Sequence, residues 1–227
     1  MSEVAAADTS VSEDPKLRIT EIFYSLQGET RTVGLPTVFV RLTGCPLRCQ
    51  YCDTEYAFSG GEWFSLDQIL EKVQSFPGKQ VTVSGGEPLA QPNCIPLLKR
   101  LCDLGYEVSL ETSGAMDVSD VDPRVVKVLD LKTPDSAESH RNMYENIPHL
   151  TQHDQVKFVI CSRQDYDWSK LQVDQYQLLD RVDDVLFSPS FHQVSATDLA
   201  DWIVEDGIQV RMQLQLHKLL WNDEPGR

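Results

Sequence analysis

Three cysteines lie within eight residues of one another, and they are the part of the chain best suited to chemistry. Cys45, Cys49 and Cys52 follow the spacing C-x3-C-x2-C, and no fourth cysteine stands nearby. Thiolates this close along a loop can converge on one point, which suits an iron–sulfur cluster or a zinc ion. Because a closed structural site needs four ligands, three thiolates leave one metal position open.

The cysteines could also form disulfide bonds, bind zinc or pack in the core, and each interpretation requires a different pattern. Disulfide bonds are disfavoured, because the set is odd in number and we expect no secretion signal ahead of it. The spacing favours a cubane cluster, while zinc with a distant fourth ligand stays open as the second interpretation. Cys94, Cys102 and Cys161 stand singly in apolar runs. We predict that these three are core residues, since free cysteine packs like a small hydrophobe.

Length and charge narrow the possible functions. The 227 residues are enough for one domain with a substantial core. The formal net charge of −15 disfavours direct nucleic-acid binding, because a surface that follows phosphates should be basic. No apolar run has the length of a membrane span, and free thiols fit the reducing cytoplasm. Residues 1–16 are predicted to be a disordered tail, and residues 17–227 a single domain.

From residue 37 onward, short apolar strands alternate with amphipathic helices. The strands are mostly continuous apolar runs, as expected when both faces of a sheet are covered. They are predicted at Thr37–Leu42, Val81–Val83, Glu107–Leu110, Val126–Leu131, Val156–Ile160, Val185–Phe187 and Gln209–Leu214. The helices are predicted at Leu66–Phe76, Asn93–Leu104, Glu138–Leu150, Tyr166–Arg181 and Ala196–Glu205. Ser65 and Gln68 predict a capping box, and Gly105 and Gly207 stand where helix C-terminal glycines belong.

This alternation predicts an α/β fold with parallel strands and right-handed crossovers. About six strand–helix units fit the length, too few for a closed eight-fold barrel. We therefore expect an open, partial (β/α)6-type barrel in one domain. Functional sites of parallel α/β folds form at the carboxyl ends of the strands. Polar or glycine-rich groups recur there, at residues 43–45, 84–88, 111–114, 130–134, 188–190 and 215–218.

The cysteine spacing together with Gly85-Gly86-Glu87-Pro88 resembles the radical S-adenosylmethionine superfamily. The resemblance implies a radical S-adenosylmethionine barrel in which the three thiolates hold three irons of a [4Fe–4S] cluster. It also implies that the amine and carboxylate of S-adenosylmethionine chelate the fourth iron, and that the resulting adenosyl radical takes hydrogen from a substrate. Cofactor contacts are implied, or suggested by side-chain chemistry, for Tyr51, Gly86, Glu87, Asp130, Leu131 and Lys132.

Further segments narrow the resemblance. Leu26-Gln27-Gly28-Glu29, Asp53-Thr54, residues 111–114 and residues 215–218 resemble the 7-carboxy-7-deazaguanine synthase family. That family converts 6-carboxy-5,6,7,8-tetrahydropterin into 7-carboxy-7-deazaguanine with loss of ammonia, on the route to 7-deazapurines such as queuosine. The resemblance implies Mg²⁺ at Thr54. Glu111 has two open interpretations, a contact with a ribose hydroxyl or the substrate, or a buried carboxylate that caps a loop. The resemblance implies substrate contacts at Leu26, Gln27, Gly28, Arg41, Ser84, His217 and Lys218.

Partners also follow from the resemblance. It implies a small pterin substrate, a flavodoxin or ferredoxin as electron donor, and a homodimer. One alternative within the superfamily is an activating enzyme for a glycyl-radical protein, which shares the cysteine spacing but must grip a large protein. A second alternative is a zinc-binding interaction module without catalytic activity.

Overall fold

A nine-stranded sheet organises the computed structural model, which describes residues 14–222 together with Glu224 and Gly226. The strands are β1 Lys16–Leu26, β2 Pro36–Leu42, β3 Glu62–Ser65, β4 Gln80–Gly85, β5 Glu107–Thr112, β6 Val126–Asp130, β7 Gln155–Ile160, β8 Asp184–Pro189 and β9 Arg211–Met212. Their order across the sheet is β3-β1-β2-β4-β5-β6-β7-β8-β9. Two strands form open edges, so the expected open sheet is confirmed.

The parallel part of the sheet contains every strand predicted from the sequence. From β2 to β9 in sheet order, each neighbouring pair runs parallel. Strand β9 is shorter than predicted. The two additional strands, β1 and β3, pair antiparallel at the other edge. Of the predicted tail at residues 1–16, residues 1–13 lie outside the described residues, and Lys16 already belongs to β1.

Six α-helices are described: α1 Leu66–Gln74, α2 Cys94–Asp103, α3 Arg163–Gln175, α4 Leu178–Arg181, α5 Ala196–Asp206 and α6 Leu216–Trp221. The capping box of Ser65 and Gln68 is confirmed, and Gly207 is the left-handed C-cap of α5. The predicted helix over Tyr166–Arg181 is divided into α3 and α4 at Gln177, where φ is 50°. Among the described residues, none of the helices has the length and apolar character to cross a membrane.

The prediction of a helix over Glu138–Leu150 is wrong. This segment forms short 3₁₀ helices, Ser139–Arg141 and Tyr144–His149. The Asn142 amide pairs with both backbone groups of Lys132 at 2.9 Å. Asn146 is fully buried and accepts from Val118 N at 3.1 Å while donating to two carbonyls of the preceding loop. Side chains that bond to distant backbone compete with regular helix formation, and Pro148 adds to this.

The apolar core lies between the sheet and the helices. In β2, Val38 and Val40 belong to the core, whereas Phe39 and Arg41 face the opposite side, as alternation along a strand requires. Phe158 and Phe187 of neighbouring strands meet edge to face with ring centroids 5.4 Å apart. Each such buried side chain contributes about 1.5–3 kcal/mol through lost apolar exposure. One sheet face is thereby fixed by packing, which leaves the other free to form a site.

A loop that follows β1 crosses the interior of the barrel. The Gln27 amide donates to Thr82 Oγ1 of β4 at 3.1 Å. Arg31 N donates to Gln155 Oε1 at the start of β7 at 2.9 Å. Between them, Gly28 O accepts from Leu216 N at 3.1 Å. The loop therefore joins the first strands of the sheet to the segment that follows the last one.

We expect Asn146→Ala to lower the free energy of unfolding by about 2–4 kcal/mol, because it leaves a buried amide and two carbonyls without partners. Urea denaturation measures this. Glu145→Ala, an exposed change in the same 3₁₀ helix, is the control and should alter stability by less than about 0.5 kcal/mol. Equal effects of the two substitutions would contradict the role given to Asn146.

Candidate active site

A cavity of about 600 Å³ opens at the carboxyl ends of the parallel strands. This volume suits a small ligand or cofactor. All the site residues predicted from the sequence line it, except Glu87 and Leu131. The lining ones are Leu26, Gln27, Gly28, Arg41, Cys45, Cys49, Tyr51, Cys52, Thr54, Ser84, Gly86, Asp130, Lys132, His217 and Lys218. Segments far apart in the chain thus meet in one place.

The cysteine loop follows β2 directly and forms one wall of the cavity. Cys45, Cys49 and Cys52 are half-buried free thiols. Burial raises the pKa of all three, that of Cys49 to about 11. The thiols are therefore protonated at neutral pH without a metal, and a metal that binds them must displace protons. The loop is fixed by backbone hydrogen bonds from Gly44 N to Ala57 O at 2.7 Å and from Gln50 N to Ser136 O at 3.1 Å.

Glu29, Asp53 and His217 bring three possible ligand atoms together on the cavity wall. Among the described residues, these atoms all lie within 4.8 Å of one another.

Gly85 and Gly86 bring β4 into direct backbone contact with the cysteine loop. Gly86 N donates to Leu42 O at 3.2 Å, and Glu87 N donates to Gly44 O at 2.8 Å. A Cβ added to Gly86 would lie 2.2 Å from Gly44 O and 2.7 Å from Cys45 Cβ. Gly85 has φ of +147°, a conformation that side chains rarely adopt. The two glycines are thus required by the position of the cysteine loop.

Two predicted cofactor contacts lie elsewhere. The fully buried Glu87 carboxylate accepts from Leu89 N at 2.9 Å, from Thr112 Oγ1 at 2.9 Å and from Ser113 N at 2.7 Å. Because these donors occupy the Glu87 carboxylate, the side chain links the ends of β4 and β5 and does not face the cavity. Leu131 is also fully buried and belongs to the apolar core. Of the triplet at residues 130–132, the first and third residues line the cavity.

Tyr51, Asp130 and Lys132 form a buried group beside the cysteines. Lys132 Nζ lies 2.9 Å from Asp130 Oδ2 and 5.7 Å from the centroid of the Tyr51 ring. Burial opposes the charge on Lys132, but Asp130 outweighs it, and the pKa of Lys132 lies well above its ordinary value. The Tyr51 hydroxyl and Asp130 Oδ1 are buried without a hydrogen-bond partner among the described residues. Orphaned polar atoms are costly, and their presence at a cavity points to a ligand that satisfies them.

A second polar group lies around Glu111. Its carboxylate accepts from the Gln27 amide at 3.2 Å and from Ser84 Oγ at 3.1 Å. Burial raises the pKa of Glu111, and the neighbouring Glu29 carboxylate adds to this effect. Gln27 and Ser84, which were predicted substrate contacts, are thereby held in place by Glu111.

A charged cluster completes the cavity, and the sequence reasoning did not foresee most of it. Glu29 is paired with Lys157, and Asp53 Oδ2 lies 2.9 Å from Lys218 Nζ. Burial alone would raise the pKa of both acids, but the ammonium groups outweigh it and hold both values below the usual range. Of these residues, Lys157 could have been singled out from the sequence, because it is the only charged residue in the mainly apolar strand β7. Thr54 Oγ1 donates to Asp53 Oδ1 at 2.9 Å.

Comparisons with known proteins agree with this geometry. A family profile described as the Radical SAM superfamily matches residues 39–132. The 7-carboxy-7-deazaguanine synthase of Koribacter versatilis is 43% identical over 92% of this chain and 98% of its own. The enzyme of the same name from Chlorobaculum tepidum is 41% identical over 94% of this chain and 98% of its own. The crystal structure of QueE from Escherichia coli covers 88% of this chain and 94% of its own, with a TM-score of 0.69 and 22% identity.

The fold and the cysteine-lined cavity define a member of the radical S-adenosylmethionine superfamily. Membership of this class implies a [4Fe–4S] cluster and S-adenosylmethionine. Within the class, the chain belongs to the 7-carboxy-7-deazaguanine synthase family. The resemblance inferred from the motifs is confirmed, and neither the glycyl-radical activating enzyme nor the zinc module is supported.

We expect Gly86→Ala to prevent iron binding, because its Cβ would displace the backbone of Gly44 and the side chain of Cys45. Iron and sulfide analysis after anaerobic reconstitution measures this. Gly105→Ala is the control: its φ is also positive, at +85°, but its Cβ would meet nothing within 4 Å. It should cost about 1 kcal/mol of stability and leave iron binding unchanged. Full iron content in Gly86→Ala would show that iron binding does not depend on the close approach of Gly86 to Gly44 and Cys45.

Proposed function

We propose that this protein converts 6-carboxy-5,6,7,8-tetrahydropterin into 7-carboxy-7-deazaguanine with release of ammonia, a step toward 7-deazapurines such as queuosine. The relatives of known name support this reaction. The structural observation that carries it is the meeting of the cysteine loop and the motif residues of the substrate end in one cavity. A substrate placed beside Arg41 and Gln27 would thus share a cavity with the three thiols.

The cysteine loop fits a [4Fe–4S] cluster through Cys45, Cys49 and Cys52. Three half-buried thiols on the wall of one cavity, within eight residues of one another, support this ligand set. When bound, the cluster and S-adenosylmethionine supply hydrogen-atom abstraction.

The residues beside the loop fit S-adenosylmethionine. Gly86 offers backbone without a side chain in the space next to Cys45. Asp130 Oδ1 is an unpaired buried acceptor that suits ribose hydroxyls, and Tyr51 offers a ring face and an unpaired hydroxyl. Lys132 compensates the charge of Asp130. We assign Tyr51, Gly86, Asp130 and Lys132, which line the cavity, to the cofactor.

The far end of the cavity fits a carboxylated pterin. Arg41 provides a guanidinium that suits the substrate carboxylate. Ser84 and Glu111, held beside Gln27, provide polar groups that can bond to the edge of the ring. His217 and Lys218 close this end next to Gly28 and Asp53.

We further propose Mg²⁺ at Thr54. Support comes from the position of Thr54 on the cavity wall, beside Asp53. The ligand atoms of Glu29, Asp53 and His217 also lie close together, but Lys157 and Lys218 already neutralise the two acids. An ion held by Thr54, waters and substrate oxygens requires no displacement of an ammonium group and agrees with the preferences of Mg²⁺.

Three proposals concern the surroundings of the enzyme. We propose a homodimer, which edge strand β3 and its 65% exposed Trp63 would suit as an interface.

We propose flavodoxin or ferredoxin as the electron donor, since the cluster requires a one-electron reductant. The six free cysteines and the sensitivity of such clusters to oxidation support a cytoplasmic location.

Anaerobic turnover tests the reaction. Reconstituted protein with carboxytetrahydropterin, S-adenosylmethionine and a reductant should form 7-carboxy-7-deazaguanine, detected by mass spectrometry. Added Mg²⁺ should raise the rate, and Thr54→Val should abolish most of that increase because the hydroxyl is lost. Absence of the product under every condition would refute the proposed function.

Cys49→Ala tests the ligand assignment. We expect loss of the absorbance at about 400 nm and of turnover together, because a thiolate ligand is missing. Cys102→Ala, which removes a thiol outside the cavity, is the matched control and should keep both. Turnover by Cys49→Ala at the control rate would exclude Cys49 as a ligand.

A further inference from the structure

Glu21 faces Arg41 across the first two strands of the sheet. Arg41 Nε lies 2.7 Å from Glu21 Oε1, and the two side chains are about four-fifths buried. The pair depends on a bulge in β1. Ile19 pairs with Leu42, but Glu21, not Thr20, pairs with Arg41. The extra residue changes which face each following side chain occupies, so the bulge brings an acid opposite the arginine.

The same Glu21 oxygen accepts a second hydrogen bond. Tyr56 OH donates to Glu21 Oε1 at 2.8 Å. Tyr56 lies in the 3₁₀ helix Glu55–Phe58, directly after Thr54. Glu21 therefore connects Arg41 on the sheet with the segment that continues from the cysteine loop. Two of the three residues, Arg41 and Tyr56, line the cavity, and Glu21 does not.

The geometry leaves part of the guanidinium available. Among residues 14–222, the hydrogen bond described for Arg41 uses Nε and goes to Glu21. Arginine has four further N–H groups on its two Nη atoms, in a planar fork that matches a carboxylate. The rings of Phe23 and Tyr56 lie 5.8 and 5.9 Å from the guanidinium carbon and restrict its movement. A guanidinium held at Nε and between two rings is preorganised for a ligand at its Nη edge.

We propose that Glu21 is a positioning residue that holds Arg41 in the orientation needed to bind the substrate carboxylate. The proposal rests on the proposed function, since it takes the substrate to be a carboxylated pterin. Tyr56 supports the same orientation by fixing the shared oxygen of Glu21. Glu111 also attracts Arg41 electrostatically, so loss of Glu21 would allow the guanidinium to turn toward Glu111. Glu21 thus determines preference for a carboxylated ligand without touching it.

Ligand preference provides the test. Binding of 6-carboxytetrahydropterin and of tetrahydropterin, which lacks the carboxylate, is measured anaerobically on the reconstituted enzyme with S-adenosylmethionine. We expect Glu21→Ala to weaken binding of the carboxylated ligand by about tenfold and to change binding of tetrahydropterin by less than about twofold. The KM of Glu21→Ala for 6-carboxytetrahydropterin should rise by a similar factor, with kcat nearly unchanged. Glu21→Gln, which keeps an acceptor oxygen, should restore most of the preference.

The controls separate this inference from the proposed function. Glu62→Gln, an exposed acid on β3, should leave both affinities unchanged. Arg41→Ala should abolish the preference, and a preference that survives in this variant would overturn the role of Arg41 itself. If Arg41→Ala abolishes it and Glu21→Ala does not, the role of Glu21 is overturned. Equal weakening of both ligands in Glu21→Ala also overturns it, since that indicates a merely structural role. Should Glu21→Ala fail to fold, Tyr56→Phe must lower the preference, or the proposal fails.

Discussion

The structure depends on a close backbone contact between the ends of β2 and β4. Gly85 and Gly86 have no side chains, so the chain of β4 can approach Leu42 and Gly44 and bond to their carbonyls. The cysteine loop begins at this contact, and its direction is set there. The Glu87 carboxylate extends the arrangement to Thr112 and Ser113 at the end of β5. Three neighbouring strands thereby hold one loop.

Matched charges form the second constraint. The chain as a whole is strongly acidic, but four acids at or beside the cavity are each paired with a base. Burying an uncompensated carboxylate would be costly, and each pairing avoids that penalty. The pairs are Glu21–Arg41, Glu29–Lys157, Asp53–Lys218 and Asp130–Lys132.

Much of this arrangement could be predicted from the sequence, because its signals are local. The parallel strands are short apolar runs, and the cysteines are neighbours along the chain. Strand β1 was missed since it is antiparallel and mixes polar with apolar residues. The helix predicted over Glu138–Leu150 failed because Asn142 and Asn146 bond to distant backbone.

Contacts between residues far apart in the chain also decided features of the cavity that the motifs did not show. Glu87 has the chemistry of a ligand contact, but its partner Ser113 lies 26 residues away, so its occupation could not be read from the motif. Lys157 and Glu29 are separated by 128 residues, and their pairing depends on how the β1 loop crosses the barrel. Local patterns indicated which residue types matter, whereas the fold decided which of them face the cavity.

The loop at residues 27–31 has a consequence for the order of folding. The cysteine loop makes several of its contacts nearby in sequence, but the Gln213 amide bonds to Gly28 O across 185 residues. Contacts of such long range carry a large loop-closure entropy and tend to form late. During synthesis, Gly28 must wait until the chain has been made past residue 213. The backbone hydrogen bonds described for the cysteine loop reach no further along the chain than Ser136, so they can form before the contact at Gly28.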